Sequence, residues 1–471
     1  MQQPCRFPFF LALLVILLVK EAQCSPRQLK VQELQNKLDQ RFLYSTNPPH
    51  HTNPIKNEGR VLYPIGYGAD PTGEDDSSGA IMEALDDALK SQKNGAELLP
   101  GVKDLGGLIL DFQGGDFRIS HPIIFPPGVG NIVVQGGTLR ASNKFPGDRH
   151  LIELEVKDQN TGIHYEDVTF RDILFDSSLR GGGLLVVDSA RIRVTNCFFL
   201  HFTTQGILVR RGHETFITHT FLGQHPTVGG SEGEKDFSGT AVDLASTDNA
   251  VTDVAIFSAA TGIVLRGQSN IITGVHCYNK ATTLGGVGIL VKEAMNRIDN
   301  CYLDFNSIVI EDPSRVHVTN GYFLGDGNII LKSVEGRISG LNIVNNMFIG
   351  EPMHMLPIVQ IEGSFKDVDQ VVIDQNHAHG MRLKSTSGKL TVAGDGTKWV
   401  ADFSPVLVFP NRITHFQYSF YSRGVAGFPA HAVTNVSGNV VVVESDKPVQ
   451  ALVSISVDQN NIFGDRNIKL F

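Results

Sequence analysis

Residues 314–331 read SRVHVTNGYFLGDGNIIL, and the flanking segments 296–310 and 336–350 read NRIDNCYLDFNSIVI and GRISGLNIVNNMFIG. Each segment holds a short apolar strand, a polar turn and a second apolar strand. The same order recurs upstream with a period of about 20 to 25 residues, without the 3.6-residue spacing of a helix. This pattern predicts a β-solenoid, in which equivalent positions of successive coils stack about 4.8 Å apart and form rows on a surface.

The two ends of the chain depart from this repeat. Residues 1–24 combine Arg6, the apolar stretch 9–19 and a small-residue end at Ala22-Gln23-Cys24, which is typical of a secretory signal. Residues 25–58 predict a helix at 28–42 and then a linker. Residues 386–471 alternate apolar and polar side chains, which predicts a small antiparallel β unit that covers the last coil.

Residues 59–385 are assigned to the β-helix itself, with about ten coils. A helix is predicted at its start, over residues 77–89, where Ile81, Leu85 and Leu89 form one apolar face. The open strands at the end of a solenoid need cover, so we expect this helix to cap the first coil.

Composition narrows the classes of function. The net charge of −9 argues against a nucleic-acid-binding protein but not against a polyanionic sugar as substrate, because only the local groove must be basic. Past the signal segment, no stretch is long and apolar enough to span a membrane. We expect an exported, soluble monomer that needs no cofactor, with Asn435 as a glycosylation site in the sequon Asn-Val-Ser.

The cysteines indicate packing and not chemistry. Cys5 and Cys24 leave with the signal, and the odd number that remains, Cys197, Cys277 and Cys301, is interpreted as small apolar side chains in interior stacks. No CxxC pair or His/Cys cluster predicts a structural zinc site.

Residues 66–81, GYGADPTGEDDSSGAI, precede Gly-rich first coils at 106–120 and 130–142. With the signal segment and the short repeat, they resemble the pectate-lyase-like right-handed parallel β-helices, and within these the plant QUARTET-type polygalacturonases, over nearly the whole mature chain. The resemblance implies an inverting, metal-independent hydrolase of pectin. The usual polygalacturonase motifs Asn-Thr-Asp-Gly, Gly-Asp-Asp, Gly-His-Gly and Arg-Ile-Lys are not intact, and Asp248 and Arg297 lie only in imperfect versions of them.

Aligning the coils predicts which side chains face outward. Side chains alternate along a strand, so two mostly small or apolar rows should point inward and the row between them outward. The inward rows are Cys197, Thr220, Val254, Val275, Cys301 and Gly321, and Phe199, Leu222, Ile256, Cys277, Leu303 and Phe323. The outward row is Phe198, Phe221, Ala255, His276, Tyr302 and Tyr322. It is either an aromatic platform for a sugar chain, centred on Tyr302 and Tyr322, or a surface that another segment covers.

Two carboxylates one coil apart are the predicted catalytic pair. Asp304 and Asp326 occupy nearly the same turn of neighbouring coils, beside an insertion at 223–239 that includes Asp236. An inverting hydrolase holds its acid and base about 6.5–9.5 Å apart, which neighbouring coils can provide. We assign Asp326 as acid and Asp304 as base, with His276 and Lys280 holding the substrate carboxylate; the plain alternative is that aspartate favours turns.

Three further sets of residues are candidates. Asp243 is a candidate because the resemblance places it on the strand that follows the first catalytic aspartate of the family. Asp236 is a candidate because it lies in the insertion at 223–239. A basic stripe of Arg210, Arg266, Lys292 and Lys332, interrupted by Glu311, suits uronate carboxylates but also a solvated margin. An alternative site is formed by Asp248, Asp253, Asp299 and Asp312 on the opposite turn.

Three functions remain in competition at this point. The first is a secreted hydrolase of α-1,4-galacturonan in the cell wall. The second is a Ca²⁺-dependent pectate lyase, which would abstract a proton with Arg or Lys. The third is a non-catalytic wall-binding β-helix, which the missing motifs favour.

Overall fold

The computed structural model describes residues 55–91, 96–156, 162–224, 238–278, 286–423 and 427–460. The predicted signal at 1–24 and helix at 28–42 lie outside these residues. The described chain forms a right-handed parallel β-helix with a helix at its start and a separate antiparallel sheet at its end, which confirms the predicted fold class. Each coil contributes one strand to each of three parallel sheets, here named A, B and C in chain order.

Sheet A runs along the first side of the coil. Its first long strand, Val102–Asp111, also pairs with Val61–Leu62 in parallel and with Glu97–Leu99 in antiparallel fashion. Asn57–Glu58 in turn pairs antiparallel with Val61–Leu62. The strands of sheet A are Val102–Asp111, the first halves of Val129–Ala141 and Tyr165–Asp176, Ser189–Ala190, Arg193–Thr195, Phe216–Thr218, Ala250–Thr252, Ile271–Thr273, Arg297–Asp299, Ser314–Thr319, Arg337–Val344 and Asp367–Asp374.

Sheet B follows sheet A around a two-residue corner, corner A–B. Its strands are mostly three residues long, so each contributes one inward side chain between two outward ones. They are Asp116–Ile119, the second halves of Val129–Ala141 and Tyr165–Asp176, Phe198–Leu200, Phe221–Gly223, Ala255–Phe257, His276–Tyr278, Tyr302–Asp304, Tyr322–Leu324, Met347–Ile349 and His377–His379.

Sheet C follows at corner B–C, where the loops differ most in length from coil to coil. Corner C–A then returns the chain to the next coil. The strands of sheet C are Ile123–Ile124, His150–Leu154, Gly182–Val187, Gln205–His213, Thr240–Thr247, Thr261–Leu265, Val287–Val291, Ser307–Glu311, Ile329–Lys332 and Val359–Glu362.

The interior of the coil is a stack of like side chains. Phe175 lies over Phe199 and Phe323 over Phe348, each pair with ring centroids 4.4 Å apart. Cys197, Cys277 and Cys301 are buried free cysteines, in agreement with their interpretation as small apolar side chains of interior stacks. Burial contributes about 1.5–3 kcal/mol for each large apolar side chain, so the stacks are the main source of stability.

Asparagine side chains stabilise the buried corners. The Asn270 side-chain oxygen accepts the backbone N–H of Asn249 at 3.1 Å and its side-chain N–H at 2.7 Å, and the Asn296 oxygen accepts the backbone N–H of Asn270 at 2.9 Å. Such a ladder pairs polar backbone groups that the parallel strands leave unsatisfied at the corner.

The helix Ser78–Ser91, α1, closes the first coil where residues 77–89 predicted a cap. Asp76 accepts the N–H of Ser78 at 3.1 Å and so caps the helix start. Ile81, Ala84 and Leu85 are buried in the same core cluster as the first strands, which is why the solenoid has no open end here. A 3-10 helix, Pro64–Tyr67, precedes it. In the described part of the chain, no helix has the length and apolar character needed to cross a membrane.

The chain ends in an antiparallel sheet, here named the terminal sheet. Its strands are Ser387–Asp402, His415–Arg423, His431–Ser437 and Val440–Asp458, and the last of these pairs with the other three. Trp399, Phe403 and Val453 belong to a second core cluster, separate from that of the coils. The loss of the repeat near residue 385 thus marks the change from parallel to antiparallel pairing.

Candidate active site

The register of sheet B confirms the predicted outward row. Each of its members pairs with the next, and the row continues beyond Tyr322 to Met347 and His377. The row therefore consists of Phe198, Phe221, Ala255, His276, Tyr302, Tyr322, Met347 and His377.

The row divides into a covered half and an open half. Phe198 and Phe221 are at most 1% exposed and form an outer apolar cluster with Leu174, Leu200 and Phe257. Tyr302 is half-buried, and Tyr322 is 44% exposed. The covered-surface alternative therefore applies to the first half of the row, and only the second half stays a candidate for the predicted aromatic platform.

His276 lies at the boundary, and its predicted contact with substrate is not supported. It is 3% exposed, and its ring meets the ring of Tyr302 edge-on at 4.4 Å and that of Phe257 at 5.3 Å. The ring therefore packs against the side of Tyr302 that faces the preceding coil. Lys280, the other residue predicted to hold the substrate carboxylate, lies outside the described residues, and so does Asp236.

Asp304 lies in a second outward row beside the first. It ends the strand Tyr302–Asp304, pairs with Tyr278 and Leu324 on either side, and is partly exposed. We name the surface around it the open face: Tyr302, Asp304, Tyr322, Met347, Ile349, His377 and His379. Its two tyrosine rings lie 6.2 Å apart with an angle of 34° between their planes.

Asp326 lies in the next turn of corner B–C, but its carboxylate is not open to a substrate. It is 5% exposed; one oxygen accepts the backbone N–H of Glu351 at 2.7 Å, and the other contacts Nδ1 of His354 at 2.6 Å. The His354 side chain is 46% exposed. The group at this point that reaches solvent is therefore an imidazole that Asp326 orients, not the predicted acid itself.

The spacing of Asp304 and Asp326 follows from the pairing. Leu324 is opposite Asp304 on the next coil, and Asp326 is two residues further on. One coil step and two residues place the two Cα atoms roughly 8 Å apart at most. Whether the pair acts in catalysis stays a prediction.

Asp243 does not join this pair. It faces outward from sheet C, where Val264, Leu290 and Val309 follow it in register on the next three coils. Val309 belongs to the same coil as Asp304, which is therefore three coils away from Asp243. The two aspartates are thus separated by about 14 Å along the axis. That distance exceeds the range in which an acid and a base act together.

The Asp243 carboxylate is instead buried in an ion pair with Arg266, whose side chain is half-exposed. Asp243 is 4% exposed and accepts a hydrogen bond from Nε of Arg266 at 3.0 Å. Burial raises the pKa of Asp243, and Arg266 opposes that effect.

The cations of the basic stripe on sheet C form ion pairs with neighbouring carboxylates, and Lys292 and Lys332 share Glu311. Arg210 contacts Glu155 at 2.7 Å, and Lys292 and Lys332 contact Glu311 at 3.3 and 3.0 Å. Together with Arg266, each cation of the predicted stripe thus has an acidic partner. This arrangement favours the interpretation of a charged, solvated margin.

The alternative acidic site is not one cluster. Asp248 and Asp312 lie at corner C–A, whereas Asp253 and Asp299 lie at corner A–B. Asp312 accepts backbone N–H groups from the next coil, among them Glu335 at 2.6 Å. Burial raises its pKa, but these donors outweigh burial and hold the pKa below its usual value. It is a turn anchor.

We expect Asp312→Asn to lower stability without loss of activity. A depressed pKa means that the carboxylate stabilises the fold above its ordinary titration range, and that this stabilisation is lost as pH falls through the depressed value. Asp312→Asn should therefore lower the free energy of unfolding near neutral pH by about 1 kcal/mol, and by less in acid. A lower melting temperature near neutral pH would report this loss. Asp248→Asn, exposed at the same corner, is the control; equal shifts for both variants would contradict the anchor role.

One polar cluster on sheet B was not predicted. Arg140 bridges Asp116 and Asp176, and His201 contacts Asp176 at 2.8 Å. Burial raises the pKa of Asp176, but His201 and the other partners outweigh it and hold the pKa low. The cluster lies at the far end of the sheet from Asp304, beyond the covered apolar half. Its members come from coils whose repeat is irregular, so no row in the sequence indicated it.

In the described residues, no group of three or more His, Cys, Asp or Glu side chains has the geometry to hold a metal ion.

Comparisons with known proteins agree with this architecture. The chain is 48% identical over 441 residues to Polygalacturonase QRT3 of Arabidopsis thaliana, which covers 91% of each chain. No protein-family model matches it. Among solved structures, ORF18 of Geobacillus virus E2 is similar with a TM-score of 0.52 and 12% identity, over 82% of this chain and 76% of that one. A tailspike protein of E. coli bacteriophage HK620 has a TM-score of 0.48 and 11% identity, over 90% and 100% of the two chains. The likeness to ORF18 shows the fold alone.

Proposed function

The chain belongs to the QUARTET-type polygalacturonase family, and from this premise we propose that it is a secreted glycoside hydrolase of α-1,4-linked galacturonan in the plant cell wall. The observation that carries the proposal is the 48% identity to a protein named polygalacturonase over 91% of the chain. The open face supports it, because half-exposed tyrosines beside a carboxylate suit a sugar chain.

The proposed chemistry is an inverting displacement. Asp304 takes a proton from water, which attacks the anomeric carbon. The bond between that carbon and the bridging oxygen breaks, and the oxygen takes a proton from Nε2 of His354. Asp326 contacts Nδ1 of the same ring and so stabilises the protonated imidazole before transfer. Solvent then restores both groups.

The assignment of His354 changes the role first predicted for Asp326. The Asp326 carboxyl is 5% exposed, with one oxygen on the N–H of Glu351 and the other on Nδ1 of His354, so it is poorly placed to donate a proton to a sugar oxygen. A histidine oriented by a buried carboxylate is a common means of general acid–base catalysis.

Incubation of the purified protein with polygalacturonate tests the function. New reducing ends without ultraviolet absorbance would support the hydrolase. Unsaturated products that absorb in the ultraviolet would show a lyase. Loss of polymer viscosity would exclude a non-catalytic binding protein, and the absence of both new reducing ends and unsaturated products would support one.

The tyrosines of the open face are expected to bind the sugar chain. A stacked ring contributes on the order of 1 kcal/mol, so Tyr302→Ala should weaken binding of oligogalacturonides several-fold. The fold should be unaffected, because the ring is only half-buried. Phe428→Ala removes a fully exposed ring from the terminal region and should leave affinity unchanged. Calorimetric titration of both variants decides the matter; equal affinity of Tyr302→Ala and the parent would exclude the platform.

Export and glycosylation are part of the same proposal. Asn435 lies exposed in the strand His431–Ser437, where a glycan would have room. Mass analysis of the secreted protein, before and after enzymatic removal of N-glycans, tests whether residues 1–24 are absent and Asn435 is modified.

A further inference from the structure

The terminal sheet presents a polar outer face. In the strand Ser387–Asp402, Lys389 and Thr391 are exposed, whereas Leu390 and Val392 point toward the second core. The register carries the same alternation across the neighbouring strands. The aligned triplets of the outer face are Ser387, Asp458 and His415; Lys389, Ser456 and Gln417; Thr391, Ser454 and Ser419; and Ala393, Leu452 and Tyr421.

A cavity opens at one end of this face. It has a volume of about 720 Å³ and lies between the terminal sheet and corner A–B of the last coil. Its polar lining residues include Asp374, Lys384, Lys389, His415, Gln417 and Asp458. The volume is within the range of sites that hold small ligands. The cavity is at a different corner from Asp304 and His354, so it is not part of the candidate active site.

The charges of the cavity are of two kinds. Lys389 is exposed and forms no ion pair with any described residue, whereas Lys384 donates to the carbonyl oxygens of Ser404 and Leu407. His415 is an exposed imidazole in the same lining. The acidic groups are partly engaged: Asp458 accepts the N–H of Asn460 at 2.6 Å, and Asp374 accepts the N–H of Gln375 at 2.8 Å. The Lys389 ammonium is therefore open to an anion, while the remaining oxygens of the carboxylates can accept hydrogen bonds from hydroxyl groups.

We propose that the outer face of the terminal sheet, with its cavity, is an accessory binding site for an acidic polysaccharide. A uronic acid offers one carboxylate and several hydroxyls on each ring. Lys389 and His415 match the carboxylate, whereas Gln417 and Asp458 match the hydroxyls. From His415 to Tyr421 the strand extends about 20 Å, which spans several sugar units, and Tyr421, 61% exposed, offers a stacking surface at the far end.

The choice of a uronate as ligand rests on the proposed function, but the binding does not require catalysis. The site would retain the enzyme on the polymer while the open face acts on it. Loss of the site should therefore weaken retention on the polymer and leave turnover of a short, soluble oligomer unchanged.

The test uses the full secreted chain on immobilised polygalacturonate. The double variant Lys389→Gln/Gln417→Ala should weaken retention about tenfold, since it removes one charged and one neutral hydrogen bond. Lys398→Ala is the matched control, because Lys398 is exposed on the same strand but paired with Glu444 at 3.5 Å. Turnover of trigalacturonate should be equal in all three proteins.

Unchanged retention of the double variant, or an equal loss with Lys398→Ala, would overturn the proposal. The assignment to acidic sugars would be overturned if the parent is also retained on neutral galactan and the double variant weakens that retention equally. If no protein releases reducing ends from polygalacturonate or trigalacturonate, the proposed hydrolase function fails, and the retention measurements still decide the accessory site.

Discussion

Asp304→Asn is expected to lower kcat on polygalacturonate by about 10²- to 10⁴-fold, the usual contribution of a general base. The amide keeps the size of the carboxylate but cannot take a proton from water. Binding should be nearly unchanged, because Tyr302 and Tyr322 still provide the platform. The melting temperature should also stay close to that of the parent, because Asp304 is partly exposed at a strand end. Initial rates of reducing-end formation and calorimetric binding measure the two effects separately.

Asp248→Asn is the matched control for this variant. Asp248 is an exposed aspartate at corner C–A, on the other side of the coil from corner B–C. Its replacement should leave the rate unchanged. If Asp248→Asn abolishes hydrolysis while Asp304→Asn remains active, the reaction takes place on the other side of the molecule and the open face is not the active site.

The repeat made the rows of sheet B predictable because it specifies which residues stack. The outward row from Phe198 to Tyr322 has the register expected from the sequence. The burial of Phe198 and Phe221 could not be predicted in the same way. Membership of a row predicts the direction in which a side chain points. Its exposure to solvent also depends on segments distant in sequence, which the repeat does not describe.

The hydrogen bond of Asp326 shows a second limit. Its partner His354 is 28 residues further on, in a corner B–C loop where the repeat loosens. Gly350 leaves room for the Asp326 carboxylate, because a Cβ there would clash with the oxygen that accepts the N–H of Glu351. A short-period pattern relates equivalent positions of neighbouring coils, but an irregular loop that folds back onto the previous coil has no equivalent position from which to infer the contact.

His354→Ala is expected to cause the second large loss, of about 10²-fold or more in kcat, because it removes the proposed proton donor to the leaving oxygen. Asp326→Asn should cause a loss of similar size by a different route. The asparagine can still accept the N–H of Glu351, but its amide can donate to Nδ1 of His354. That donation would favour the other tautomer and would no longer stabilise a protonated ring.

The double variant decides whether Asp326 acts through His354. If it does, Asp326→Asn in the His354→Ala background should cause little further loss, because residues that act as one unit are not additive. If Asp326 is itself the acid, as the sequence alone suggested, the double variant should lose much more than His354→Ala. His213→Ala is the control, since His213 is also half-exposed and lies 3.4 Å from a carboxylate, that of Glu214, but at corner C–A. The pH–rate profile of Asp326→Asn separates a positioning role from a purely structural one. A positioning role predicts a shifted profile, with kcat reduced and binding unchanged. A loosened loop alone would lower the rate at every pH to the same extent.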